Sequence, residues 1–95
     1  MWYVYVLYSL LGKKSYVGYT TDVERRLYEH NVSEQKGFTL RFRPWTLIRV
    51  EPYSMKSDAI KRERFLKTGH GREELKIYIN DFLSKGGVSA RAEKD

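Results

Sequence analysis

Tyr5, Tyr16, Arg26, His30 and Glu63 are the side chains of this 95-residue chain whose types and spacing could do chemistry. Projected at about 100° per residue, a helix over residues 22–31 turns Val23 and Leu27 to one face. Arg26 and His30 fall in the same narrow arc, whereas Glu24, Arg25, Tyr28 and Glu29 point elsewhere. Of two adjacent arginines, Arg25 is therefore expected in solvent and Arg26 towards the sheet. A snorkelling side chain or half of an ion pair would project the same way. In a second helix Ala59, Ile60 and Leu66 define a buried face, and Glu63 projects into its middle. A lone ionised carboxylate is costly to bury and calls for a metal, an arginine or several donors. The structural alternative is a salt bridge, to Arg26 or to Lys67, which projects nearby. With the hairpin turn centred between residues 10 and 11, Tyr5 and Tyr16 lie opposite each other on one sheet face, an ordinary cross-strand pair taken alone. Gly18, inside the same strand, marks a bulge or a close approach.

Two phenols, an arginine, an imidazole and one carboxylate form a workable set for cleaving a phosphodiester. The carboxylate can hold a divalent cation, and cation and arginine together stabilise charge growing on the phosphate. A phenol or imidazole whose pKa those cations lower can take the proton of an attacking water. A single inward carboxylate points to one metal rather than two.

The elements that must position these groups follow from pattern. Residues 2–8 (WYVYVLY) are aromatic and β-branched without a breaker, a strand buried on both sides. A turn at 9–14 and a short strand at 15–19 make a hairpin. Thr21-Asp22-Val23-Glu24 has the form of a capping box and opens a helix to about Asn31. Residues 45–50 form a third strand ended by Pro52. A second helix starts near Ser57 or Asp58 and stops at Gly69, and a third covers 72–83 with Leu75, Tyr78, Ile79 and Phe82 at helical spacing. The expectation is one α+β domain over residues 1–85, a small three-stranded antiparallel sheet flanked by helices in the order ββαβαα. Residues 86–95 are expected to be a polar, flexible tail.

Composition narrows the rest. The net charge is +6, and 41% hydrophobic with 15% aromatic residues suffices for a core. No cysteine is present, which excludes disulfides, thiolate catalysis and cysteine-based metal centres, and fits a reducing cytoplasm. The longest apolar run, residues 2–11, is about half of a membrane span and lacks the marks of a signal peptide. Basic charge favours an anionic partner such as nucleic acid. Between Gln35 and Val50 lie four basic residues, Lys36, Arg41, Arg43 and Arg49, and no acid, interleaved with Phe38, Phe42 and Trp45. This is a candidate nucleic-acid contact, or a solvated basic loop whose aromatics fold back onto the core.

Tyr3-Val4-Tyr5, then Tyr16-Val17-Gly18, Arg26, His30 and Glu63 in that order and spacing resemble the GIY-YIG nuclease domain over most of the chain. The segments YVYVLYS, FTLRFRPW and KTGHGREELK resemble the small stand-alone bacterial members. The first motif reads Tyr-Val-Tyr in place of Gly-Ile-Tyr, and Lys13 and Lys14 are the only lysines near the second. The resemblance implies Tyr5 as general base, Tyr16 ordering water and phosphate, and Arg26 stabilising the phosphate. It places His30 near the nucleophile and Glu63 as ligand of one Mg²⁺ or Mn²⁺. The implied activity is metal-dependent hydrolysis of DNA, with branched or damaged DNA as candidate substrates and selectivity from a protein partner or a homodimer. Two other readings are a non-catalytic nucleic-acid-binding module that keeps the fold, and an adaptor docking through an apolar patch on the third helix.

Overall fold

The computed structural model describes residues 1–86. Strand β1 (Trp2–Ser9) pairs antiparallel with β2 (Lys14–Thr20) on one side and β3 (Thr46–Tyr53) on the other, giving the sheet order β2-β1-β3. An uninterrupted apolar strand has no solvent-facing side, and β1 is covered on both faces. On one face Val4, Val6 and Val17 pack against Ala59, Leu66 and Leu75 of the helices α2 (Lys56–Leu66) and α3 (Gly69–Ser84). On the other face Tyr5, Leu7, Trp45 and Leu47 form a second cluster under Leu27 and Phe42. Each full burial of such an aliphatic side chain contributes about 1.5–3 kcal/mol.

The second face is closed by helix α1 (Val23–Tyr28), a π-helical turn over Glu29–Ser33 and a 3-10 helix over Phe38–Phe42. The order is therefore the expected ββαβαα with short helical turns added between α1 and β3. Several boundaries differ for local reasons. The cap of α1 is Asp22, whose carboxylate accepts from the Arg25 amide at 3.0 Å, rather than Thr21. Strand β3 runs through Pro52 to Tyr53, because an edge strand tolerates a residue without an N–H. Helix α2 ends at Leu66, and Gly69 opens α3 instead of closing α2: the Thr68 hydroxyl accepts from the Gly71 amide at 3.3 Å. Apart from Gly86, the residues expected to form the tail lie outside the described residues. Among the described residues no helix is long and apolar enough to cross a membrane.

Candidate active site

The hairpin turn takes four residues, 10–13, so Ser9 pairs with Lys14 and the register differs from the expected one. Tyr5 stands opposite Gly18, and Tyr16 opposite Leu7. The two tyrosines are still on one face as diagonal neighbours, with ring centroids 6.2 Å apart. Gly18 makes this possible, since a Cβ there would stand 2.5 Å from the Tyr5 hydroxyl oxygen.

His30 enters from the π-helical turn and is wholly buried. Its ring centroid lies 4.7 Å from that of Tyr16 and 5.9 Å from that of Tyr5. Its Nε2 is 3.0 Å from the Tyr5 hydroxyl and its Nδ1 2.9 Å from the Thr39 hydroxyl. Burial, then the charge of Arg26, push the His30 pKa down, so the ring is neutral at pH 7. Burial and the neighbouring Tyr16 push the Tyr5 pKa up, against the nearby Arg26 guanidinium. Tyr5 thus remains a phenol, and the neutral imidazole, with one ring nitrogen donating and the other accepting, bridges its hydroxyl and that of Thr39.

Arg26 does turn inward and Arg25 outward: their side chains are 27% and 56% exposed. Arg26 is doubly engaged, donating to Glu29 at 2.7 Å and to Glu34 at 3.0 Å. Partial burial opposes its charge, but the two carboxylates more than offset this and keep it ionised. The same contact holds the Glu29 carboxyl below its usual range.

The Glu63 side chain is 15% exposed, and its Oε2 accepts from Lys67 Nζ at 2.7 Å. The i,i+4 lysine, not Arg26, is its partner, because Arg26 is held by the acids of its own segment. Among the described residues no group of three or more His, Cys, Asp or Glu could enclose a metal. A lone carboxylate still fits Mg²⁺ or Mn²⁺, which take one or two carboxylates with waters and substrate phosphates and need no protein cage.

The basic segment is built differently from its expected role as a nucleic-acid surface. Arg43 donates to the carbonyls of His30 and Glu34, each at 2.5 Å, and so tethers the loop to the π-helical turn. Arg49 pairs with Glu51 at 2.7 Å and its guanidinium lies 3.9 Å over the Tyr78 ring. Trp45 is buried, donating its indole N–H to the Thr39 carbonyl at 2.7 Å. Arg41 lies over Phe42 and Lys36 is exposed. Two of the four cations therefore hold the fold; Trp45 and Phe42 fold back onto the core, and Phe38, 48% exposed, lies against their rings from outside. Glu29, Glu34 and Thr39 belong to the cluster: Glu29 stands three residues after Arg26 in the helical segment, a spacing that pairs charges, whereas Glu34 and Thr39 carry no signal in the sequence because the chain beyond the helix brings them to it.

The GIY-YIG catalytic domain model matches residues 1–76 of the chain. The chain is 37% identical over 75 residues to UPF0213 protein SH2523 of Staphylococcus haemolyticus, covering 79% of this chain and 90% of that protein. It is 42% identical over 66 residues to UPF0213 protein NP_0776A of Natronomonas pharaonis, covering 70% and 76%. A solution NMR structure of UPF0213 protein BH0048 from Bacillus halodurans is similar with a TM-score of 0.47 at 29% identity, over 79% of this chain and 82% of that one.

Proposed function

Because the chain belongs to the GIY-YIG family, alongside its small UPF0213 members, we propose that it is an endonuclease hydrolysing DNA phosphodiester bonds with one divalent metal ion. The observation that carries this reading is the convergence of Tyr5, Tyr16, His30 and Arg26 from two strands and one helical segment.

Exposure divides the labour. Tyr5 is 2% exposed and His30 is buried beneath it, so both act as positioning residues rather than as groups touching DNA. This moves Tyr5 away from the general-base role that the family resemblance implies. Half-buried Tyr16 and Arg26 are the members a phosphate can reach. Arg26 would take two non-bridging oxygens in place of Glu29 and Glu34, whose partly exposed carboxylates can turn to solvent. The Tyr16 hydroxyl, its ring held against His30, would orient the attacking water. Glu63 would hold the metal once Lys67, itself 53% exposed, swings away. When bound, the ion supplies charge neutralisation on the phosphate.

Supercoiled plasmid and branched synthetic DNA, incubated with Mg²⁺, Mn²⁺ or EDTA, provide the test. Metal-dependent cutting is expected in the wild type, falling about 10²–10³-fold in Arg26→Ala and in Glu63→Ala. No cutting under any metal, or cutting that survives both substitutions, would overturn the reading. A second reading, a nucleic-acid-binding module on the nuclease fold, is favoured by the double neutralisation of Arg26. It corresponds to DNA retained but never cut.

A further inference from the structure

Tyr16 belongs to two places at once. Besides meeting His30 it lines a recess of about 490 Å³ between the hairpin and the two long helices. Lys13 and Lys14 stand on the hairpin side of this recess, and Lys67, Arg72 and Lys76 on the helix side. None of its lining residues is acidic. Arg72 and Lys76 are four apart on α3 and so share a face. Like charges gathered around a concave surface repel one another, and an anion entering it relieves that repulsion.

Their bonding state sharpens the point. Lys13, Lys14 and Lys76 form no ion pair among the described residues, and Arg72 reaches only the Lys67 carbonyl at 3.4 Å. Arg26, Arg49 and Arg62, by contrast, are tied to carboxylates. Lys13 also has φ of 54°, the left-handed region that costs a non-glycine residue about 1 kcal/mol or more. The adjacent Gly12, which would bear that conformation without strain, does not occupy it. The turn thus sets a strained lysine at the mouth of the recess, where a glycine would serve the backbone better.

We infer that this recess binds the phosphodiester backbone of duplex DNA next to the bond to be cut, with Tyr16 as the wall shared by the binding and reacting regions. The inference rests on the nuclease reading for its substrate. It moves the DNA contact from the segment of Lys36, Arg41, Arg43 and Arg49 to the hairpin turn and the facing ends of α2 and α3. Lys67 contributes less to binding than its neighbours because Glu63 already holds it.

The test is binding of a fluorescent duplex in EDTA, where nothing is cut, across a series of salt concentrations. The variant combines Lys13→Gln, Lys14→Gln and Lys76→Gln, three exposed side chains whose loss removes no ion pair among the described residues. Removing three phosphate contacts should lower the slope of log K against log salt by about 2 to 3 and weaken binding at least about 10-fold. Lys36→Gln with Arg41→Gln should leave the slope at its wild-type value. An unchanged slope in the triple variant, a loss confined to the 36/41 pair, or a wild type that holds no duplex would each overturn the inference. So would displacement of the duplex by inorganic pyrophosphate at equal phosphate concentration, which would assign the recess to small phosphates. The nuclease reading is judged separately: a lowered slope without cutting under any metal keeps the recess and removes the nuclease, and cutting with an unchanged slope does the reverse.

Discussion

At Gly18 the missing Cβ lets the Tyr5 hydroxyl lie against the backbone of β2, and on its other side that hydroxyl meets His30 Nε2 at 3.0 Å. Tyr5 is buried and has nowhere to retreat. Gly18→Ala should therefore push the phenol off the imidazole and leave a buried nitrogen without its hydrogen-bond partner. The expected loss is about 1–3 kcal/mol in urea unfolding, with a displaced His30 ring ¹⁵N resonance. Wild-type stability and an unmoved resonance would show that Tyr5 is not pinned there. Among these residues, the inward turn of Arg26 was readable from apolar spacing in one short helix. Of its partners, Glu29 stands at a helical i,i+3 spacing but Glu34 lies beyond the helix, and Thr39, the partner of His30, sits in a 3-10 turn. The facing of Tyr5 and Tyr16 was readable but their register was not, because it depends on a four-residue turn with a left-handed lysine.

Between elements, the elbow of α2 and α3 turns on two glycines that look alike in the sequence. A Cβ on Gly71 would overlap the Phe65 carbonyl and stand 2.6 Å from the Leu66 Cα, backbone atoms that cannot give way. A Cβ on Gly69 would meet nothing within 4 Å. Gly71→Ala should open the elbow at a cost of about 2–4 kcal/mol, and Gly69→Ala should be neutral to within about 1 kcal/mol. Urea midpoints of the two variants check this; equal midpoints would mean that the helices do not touch as described. The three strands, two long helices and their order could be read from periodicity and breakers, since those signals are local. The division of work between Gly69 and Gly71 could not, because it is set by how closely one helix crosses the end of another. The same holds for β3, whose passage through Pro52 depends on its being an edge.

For the molecule as a whole, net charge proved a weaker guide than its distribution. The segment richest in unopposed basic residues holds loops together, whereas the five cations of the recess are scattered over 64 sequence positions, from Lys13 to Lys76, and are gathered only by folding. Charge also sets how the fold answers to acid, through groups on both faces of one sheet. On the α1 side, buried His30 has a folded pKa below its unfolded value of 6.5, so the stability of its neutral form is present above that pH and is lost as pH falls beneath it. On the α2–α3 side, burial works against the Glu51 charge. Arg62 at 2.8 Å and Arg49 at 2.7 Å overcome it and hold the carboxyl at about 2, against 4.5 unfolded. That contribution is present above 4.5 and is lost as pH falls from there to about 2. Arg62 also reaches Glu74 and Tyr78 of α3, so the pair ties β3, α2 and α3 together. Because β1 is shared by both clusters, the two losses should act on a single unfolding transition, in two separate windows of pH. Melting temperature against pH should bend downward first below about 6.5 and again below about 4.5. His30→Gln should flatten the upper bend alone. Glu51→Gln should lower stability at neutral pH and make the lower bend shallower, with Glu29 and Glu74 supplying the remainder. In the double variant the two changes should add, as expected for sites without shared partners. A His30→Gln protein that keeps the upper bend would mean that the imidazole is not held neutral under the sheet between the Tyr5 and Thr39 hydroxyls.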